Sequence, residues 1–349
     1  MPPVQTVFII VMENHNWSDI KGNTNAPYIN KVLLPMASYC EQYYNPPGLH
    51  PSEPNYLWLE AGTNFGITND DDPSVNRQNT TRHLVTLLHN AGISWKSYQE
   101  DISGECVPLV ATNGYAPRHN PCVYFDDVTS TNDPNGAYGI AHIRPHSELV
   151  ADLVKNTVAR YNFITPNLCH GMHDSCAPLY NPLQQGDDWL AAQVPLMLNS
   201  AAYQNGGALF ITWDEATSGD GPIGMIVLSP LTRGGGYFNN IYYTHSSTLR
   251  TFQEIFGVAP MLGDAANATD LSDLFRQFEF SSVVILPGEG VQLTAEGVAP
   301  GRTNLVQASS DTRNWISIST NVVSANTFTV TDHTATNFNA RFYRLVQLP

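Results

Sequence analysis

The sequence predicts an α/β fold, a mostly parallel sheet sandwiched by helices, followed by a small all-β sandwich. Three observations lead there. The runs Val7–Asn14 and Ala208–Glu215 are each apolar for six residues or so and then end abruptly in oxygen-bearing side chains. A run apolar on both faces reads as a strand covered by helices on both sides. Through about residue 280, strand-like runs alternate with helix-periodic ones, the pattern of a parallel sheet. From Ser281 onward, short β-prone runs are separated by turn residues, the pattern of a small sandwich. The expected division is 1–279 for the α/β unit and 280–349 for an immunoglobulin-like β-sandwich accessory module.

In chain order, Thr6–Met12 reads as a strand and Pro27–Ser38 as a helix. A second helix, Pro54–Ala61, follows Ser52, with Pro54 near its first turn. Thr80–Asn90 is amphipathic and helical, and Ser94–Tyr98 strand-like. Ser147–Val158 is a helix, Tyr161–Thr165 a strand, and Asp187–Ser200 a helix. The strand ending at Asp214 comes next, then a strand at Ile223–Ser229 and a helix at Thr244–Phe256. Stretches 62–79 and 99–145 are rich in Gly, Pro, Asn and Asp; loops that long are usually functional rims. In the tail, Val283–Leu286, Asn304–Ala308, Trp315–Ser319, Thr327–Thr331 and Phe342–Val346 read as strands.

The net charge is −15, and residues 281–349 hold four Arg, no Lys and four acidic residues. All the excess acid therefore lies in the first 280 residues. That excludes general nucleic-acid binding, which needs a basic stripe. An anionic substrate would need a bound cation to offset the field. No apolar run approaches the ~20 residues of a membrane span, so no stable membrane insertion is expected. No leader is visible before the first strand. Of five cysteines, Cys169 and Cys176 flank a His/Asp-rich loop and could close it as a disulfide. Cys106 and Cys122 could form a second bridge, leaving Cys40 over; the alternative is five buried thiols.

In open α/β sheets the chemistry sits beyond the carboxyl ends of the strands. Two strands thus deliver Glu13, Asn14, Asp214 and Glu215 to one edge, in outline a hard-cation site. Adjacent carboxylates at a buried strand end repel unless neutralised. The plain alternatives are a turn with an N-cap at Glu13-Asn14 and a solvated loop start at Asp214-Glu215. Ser52 precedes a helix, where backbone N–H groups and the dipole favour phosphate and a metal-bound hydroxyl becomes a nucleophile; a plain N-cap is the commoner role. Arg118-His119 could bind a phosphoryl group or protonate a leaving group, against a surface loop. The stretch from Asn167 to Cys176, with His170, His173 and Asp174, can ligate metal or do acid–base work, against a stapled turn. His245 opens a helix and is a secondary candidate, against a packed N-terminal histidine.

Taken together and in order, these segments resemble the phosphoesterase family of bacterial and fungal acid phosphatases and phosphatidylcholine-type phospholipases C, within the alkaline phosphatase superfamily. The resemblance rests on Val11-Met12-Glu13-Asn14, His50-Pro51-Ser52, Pro54-Asn55-Tyr56, and Ser94 to Glu100. It continues through Phe163 to Cys169, Met172-His173-Asp174, Gly186-Asp187, Ile211 to Glu215, Ser229-Pro230-Leu231 and the helix from His245 to Gly257. It covers about residues 4–278. It implies Ser52 as nucleophile of a phosphoserine mechanism, and Glu13, Asn14, Asp214, Glu215 and Ser52 as ligands of a divalent metal (Ca, Mg, Mn, Zn or Fe). It implies His119 and His173, with Asp174 beside it, near the phosphoryl group; His170, His245 and Arg118 are further candidates. The chain departs from the family where His170 and Gly171 replace an Asn-Asp pair and Ser175 is an extra residue. The tail resembles a β-module of secreted bacterial proteins, whose expected role is contact with carbohydrate or a cell surface.

The expectation is thus a secreted or periplasmic, metal-dependent phosphoric monoester hydrolase acting on a small phosphate ester. His-Pro-Ser-x-Pro-Asn-Tyr at 50–56 leans towards the acid-phosphatase branch. The alternatives are a phospholipase C-type phosphodiesterase and a catalytically impaired binding protein.

Overall fold

The computed structural model describes residues 3–112, 114–276, 279–298 and 301–347. Its centre is an eight-stranded sheet in the order Ile143–Pro145, Trp95–Gln99, Tyr161–Thr165, Val7–Met12, Ala208–Trp213, Met225–Leu228, Ser38–Cys40, Tyr237–Asn239. Val7–Met12 pairs in parallel with both Tyr161–Thr165 and Ala208–Trp213. Among the described strands of this sheet, Met225–Leu228 alone runs antiparallel to its neighbours. Every residue of Val7–Met12 and of Ala208–Trp213 is buried, as continuous apolar runs require. Each buried Ile or Phe there contributes roughly 1.5–3 kcal/mol.

Side chains alternate across the sheet, and their partners show which helices cover each face. Tyr161 and Phe210 meet Phe252 of helix His245–Phe256, and Phe163 meets Tyr56 of helix Ser52–Ala61. On the other face, Met12 abuts Gly186 of helix Pro182–Leu198, where any larger residue would collide with Met12 and Met172. The sandwich of helices around a mostly parallel sheet is therefore as expected, and the buried apolar core runs from Val4 to Phe275.

Several elements differ from expectation for local reasons. Pro27–Ser38 is no single helix: a π-helical turn, Ile29–Leu33, leads to Leu34–Met36, then strand Ser38–Cys40. Pro35 fits only the first turn of a new helical segment, and it sits there. The long helix starts at Pro182 rather than Asp187, because Asn181 caps it, accepting from Gln184 N at 3.2 Å. Stretch 99–145 is less irregular than its composition suggests, holding helices Asp126–Thr129 and Ala137–His142 and strand Ile143–Pro145. Helix Leu84–Asn90 begins four residues later than expected.

The Cys169–Cys176 disulfide is present. The Cys106–Cys122 bridge is not: Cys106 is exposed, while Cys122 is buried in the turn Pro121–Tyr124, and both are free, as is buried Cys40. The reading of five buried thiols fails with it.

The tail forms two antiparallel three-stranded sheets, a β-sandwich-like region. One orders Glu279–Leu286, Gly290–Glu296, Thr327–Asp332; the other Ile316–Val322, Thr303–Ser309, Phe342–Gln347. Gly290–Glu296 was not expected, since Gln, Ala and Glu are poor strand formers; its pairing to both neighbours overrides that preference.

Candidate active site

Parallel pairing aligns the carboxyl ends of Val7–Met12 and Ala208–Trp213, with Met12 opposite Trp213. The next residues, Glu13 and Asp214, thus emerge side by side, both buried. Asn14 N donates to Asp214 Oδ1 at 3.1 Å and closes the pair of strand ends. Helix Ser52–Ala61 brings its first residue to the same edge, where Ser52 Oγ donates to Glu13 Oε2 at 3.3 Å. One turn along that helix, Tyr56 OH donates to Glu13 Oε1 and Asn55 Nδ2 donates to Glu215 Oε2, the latter at 3.3 Å. His119, from the 99–145 stretch, lies with Nε2 3.3 Å from Glu13 Oε2 but is not aligned to hydrogen-bond it. Its ring stacks on Tyr56 with centroids 5.2 Å apart.

Three carboxyl groups so close together are costly as anions. Burial, then Asp214, pushes the Glu13 pKa well up. Burial, then Glu215, does the same to Asp214. Burial, then Glu13 and Asp70, pushes Glu215 up to about 8. Burial, then Arg118 and His173, pushes His119 well down, so its imidazole is neutral. Asn14 Oδ1, Asp214 Oδ2 and His119 Nε2 are buried and find no hydrogen-bond partner among the described residues.

Among the described residues no three His, Cys, Asp or Glu side chains converge as a metal centre by themselves. What gathers is a mixed oxygen set of carboxylate, amide and hydroxyl groups, with two buried oxygens left over. That set fits a hard divalent cation, which accepts mixed oxygen ligands and would relieve the carboxylate repulsion.

Of the expected site residues, Glu13, Asn14, Ser52, His119, Asp214 and Glu215 come together. His173 lies beside them, its ring centroid 5.9 Å from that of His119, with Nδ1 2.7 Å from Asp174 Oδ1. The loop carrying it is anchored on the site, since Glu13 N donates to Gly171 O at 2.7 Å. Arg118 flanks the cluster, its Nε 3.6 Å from Asp70 Oδ2. His170 turns away to Glu100, with Nδ1 2.8 Å from Oε2. His245 lies beneath the site, where its Nε2 donates to Asp214 O at 2.6 Å and its Nδ1 is 3.1 Å from Tyr43 OH. Burial lowers its pKa to about 4, so it is a neutral support for the Asp214 backbone. Tyr56, Asn55 and His50 were not singled out as site residues. Asn55 and Tyr56 fall three and four residues after Ser52, hence on its helix face. His50, two residues before Ser52, pairs through Nδ1 with Glu215.

A model of the phosphoesterase family matches residues 37–259. The phosphatidylinositol-3-phosphatase of Mycobacterium tuberculosis is 31% identical over 277 residues, 79% of this chain and 84% of that protein. A phosphate-repressible acid phosphatase of Penicillium chrysogenum is 28% identical over 61% of this chain and 51% of its own length. Phospholipase C A of the same mycobacterium is 22% identical over 77% of this chain and 61% of that protein. The chain thus spans less than two thirds of the length of these last two relatives. Among solved structures, a Bacteroides thetaiotaomicron protein of glycosaminoglycan metabolism gives a TM-score of 0.50 at 10% identity. It covers 98% of this chain and 89% of that one, a likeness of fold alone.

Proposed function

This chain belongs to the phosphoesterase family, and from that premise we propose that it hydrolyses phosphoric monoesters through a phosphoserine at Ser52, with a divalent cation bound at the site. One observation carries the reading. The Ser52 hydroxyl opens a ten-residue helix, donates to Glu13, and lies among buried oxygens that have no partner among the described residues. Two named relatives, a phosphatidylinositol-3-phosphatase and an acid phosphatase, support the monoester.

Glu13, Asn14, Asp214, Glu215 and Ser52 would hold the cation. When bound, it supplies Lewis-acid polarisation and lowers the cost of ionising the serine. The remaining work falls to the chain. Ser52 Oγ passes its proton along its hydrogen bond to Glu13 and bonds to phosphorus as the ester P–O bond breaks in line, and the alcohol leaves with a proton. The positive dipole end of helix Ser52–Ala61 favours the phosphoryl charge, while its first-turn donors are largely spent: Glu53 N donates to Asp70 Oδ1 at 2.9 Å and Pro54 has no N–H. Neutral His119, whose Nε2 has no partner among the described residues, hydrogen-bonds one of those oxygens. His173, oriented by Asp174, hands the leaving oxygen its proton. Water then attacks phosphorus, the bond to Ser52 Oγ breaks, the hydroxyl regains its proton and phosphate departs. The Cys169–Cys176 bridge supports an oxidising compartment, secreted or periplasmic. Among the described residues no helix is long and apolar enough to cross a membrane.

The test is steady-state hydrolysis of p-nitrophenyl phosphate beside p-nitrophenylphosphorylcholine on metal-replete protein. Preference for the monoester is expected. The phospholipase C relative favours the second reading, and preference for the choline diester would establish it. Acid-quenched enzyme should carry phosphate on the peptide containing Ser52; phosphate on another residue would overturn the nucleophile.

A further inference from the structure

Beside the acidic cluster lies a cleft of about 570 Å³, within the ~300–1,000 Å³ usual for small-molecule sites. It is continuous with the site, because Asn14 and His173 line both. Its remaining wall comes from the turn after helix Trp17–Ile20, from the start of helix Pro182–Leu198, and from the loop after Glu215. With His173 as the proton donor to the leaving oxygen, as proposed above, the cleft that His173 lines is the space next to the leaving group.

The lining defines what that leaving group can be. Among the described residues no Lys or Arg lines the cleft and its one carboxylate is Asp19, so none of them neutralises a second phosphate. No Phe, Tyr or Trp among the described residues lines it either, so these residues build no aromatic cage for a quaternary ammonium. What it presents is neutral hydrogen-bonding side chains, above all Asn25, Asn181 and His15. Asn181 Oδ1 is committed to capping Gln184 N, and His15 Nδ1 lies 3.1 Å from Glu13 O. The Asn25 amide and Asn181 Nδ2 make no side-chain hydrogen bond among the described residues, and each is at least partly open to solvent. An amide group both donates and accepts, as an alcohol does. Next to Asn181, Pro182 adds an apolar surface suited to the C–H face of a ring, with Met172 and Leu183 buried behind the lining.

We propose that this cleft holds the alcohol part of the ester, and that this alcohol is a neutral polyol, a sugar or cyclitol, whose hydroxyls are read by Asn25, Asn181 and His15. The proposal rests on the monoesterase reading above and adds the substrate class to it.

The experiment compares kcat/KM of the metal-replete full chain on glucose 6-phosphate, myo-inositol 1-phosphate, phosphocholine, fructose 1,6-bisphosphate and p-nitrophenyl phosphate. The two polyol monoesters should exceed phosphocholine and the bisphosphate by about tenfold or more, the worth of one or two well-made hydrogen bonds. The comparison is repeated with Asn25→Leu and with Asn181→Ser, which keeps a helix-capping oxygen and removes the amide. In each variant the ratio of polyol to aryl phosphate kcat/KM should fall about tenfold, chiefly through KM. An unchanged ratio in both variants overturns the proposal, as does a wild type that prefers phosphocholine or the bisphosphate. A wild type inert towards p-nitrophenyl phosphate and every other monoester instead removes the monoesterase reading, and this assignment with it. A wild type active on p-nitrophenyl phosphate but indifferent among alcohols removes only the polyol assignment.

Discussion

Two clusters of carboxylates around a buried histidine behave in opposite ways in the same chain. Around His83, Glu60 Oε1 lies 3.1 Å from Nδ1 and Asp127 Oδ1 lies 3.0 Å from Nε2, and Val85 N donates to Glu60 Oε1 at 2.7 Å. Burial works against a charged His83, but its bonds to Asp127 and Glu60 outweigh that and raise its pKa. Burial likewise opposes the Asp127 carboxylate, and His83 overcomes it and lowers that pKa. The Glu13–Asp214–Glu215 cluster has a histidine too, yet His119 is driven neutral and all three carboxyls are pushed up. One cluster is complete within the protein; the other, on the reading proposed above, would be completed by a bound cation. Buried polar groups left unsatisfied in a native fold call for an explanation, and shifted acids gathered at a sheet edge point to function.

The sharpest break between the two comes from Ser52→Ala. Loss of the nucleophile should cut kcat on p-nitrophenyl phosphate by ~10³-fold or more, with circular dichroism unchanged and the cation largely retained by Glu13, Asn14, Asp214 and Glu215. Full activity in the variant would remove Ser52 from the mechanism. His83→Gln should leave turnover per folded molecule intact but destabilise by about 3 kcal/mol, since it strands a buried Glu60. That loss depends on pH. The His83 pKa is raised on folding, so its stabilisation is complete below the unfolded value of ~6.5 and fades as pH climbs through the folded one. The Asp127 pKa is lowered, so its share is complete above ~3.9 and fades as pH falls through the folded value. Urea denaturation should show the wild-type advantage largest at about pH 4–6.5 and smaller in the alkaline range. A gap that widens with rising pH would contradict the ion pair.

The open cluster should respond the other way. A divalent cation at ~100 times its Kd should stabilise the wild type by about 2.7 kcal/mol, read as a rise in Tm that EDTA reverses. Asp214→Asn should abolish that rise while leaving the cation-free protein no less stable, because it removes a buried repulsion. His83→Gln should retain the rise. An equal cation response in wild type and Asp214→Asn would place the cation elsewhere. The smallest effects are those at the cysteines. Opening a bridge between residues seven apart should cost about 2 kcal/mol or less, whereas Cys106→Ser, at an exposed free thiol, should fall within ~0.5 kcal/mol of wild type. Equal Tm values for the two variants would show that the bridge contributes nothing.

The sheet centre was legible because Val7–Met12 and Ala208–Trp213 announce burial by composition alone. The edge strands were not. Ser38–Cys40 and Tyr237–Asn239 are three residues each, too short to show a period, and their place is set by pairing partners far along the chain. The site divided in the same manner. Glu13, Asn14, Asp214 and Glu215 stand directly after readable strands, and Ser52 directly before a readable helix. Asn55 and Tyr56 could have been found from the helical period counted on from Ser52. That His245 supports the Asp214 backbone from beneath, while His170 pairs with Glu100, depends on how loops fold back; no local pattern in the sequence encodes it.

The central strand also has a history during synthesis. Val7 meets its partners at Tyr161 and Ala208, so a ribosome adding ~5–20 residues per second leaves the Val7–Met12 run without a sheet neighbour for roughly 8–30 s. For that interval six consecutive apolar residues wait as an unpaired strand, the kind of edge that invites association with other chains. The nascent chain is expected to be most prone to association in that interval. Slowing translation between residues 13 and 161 should lower the soluble yield more than slowing it after residue 213.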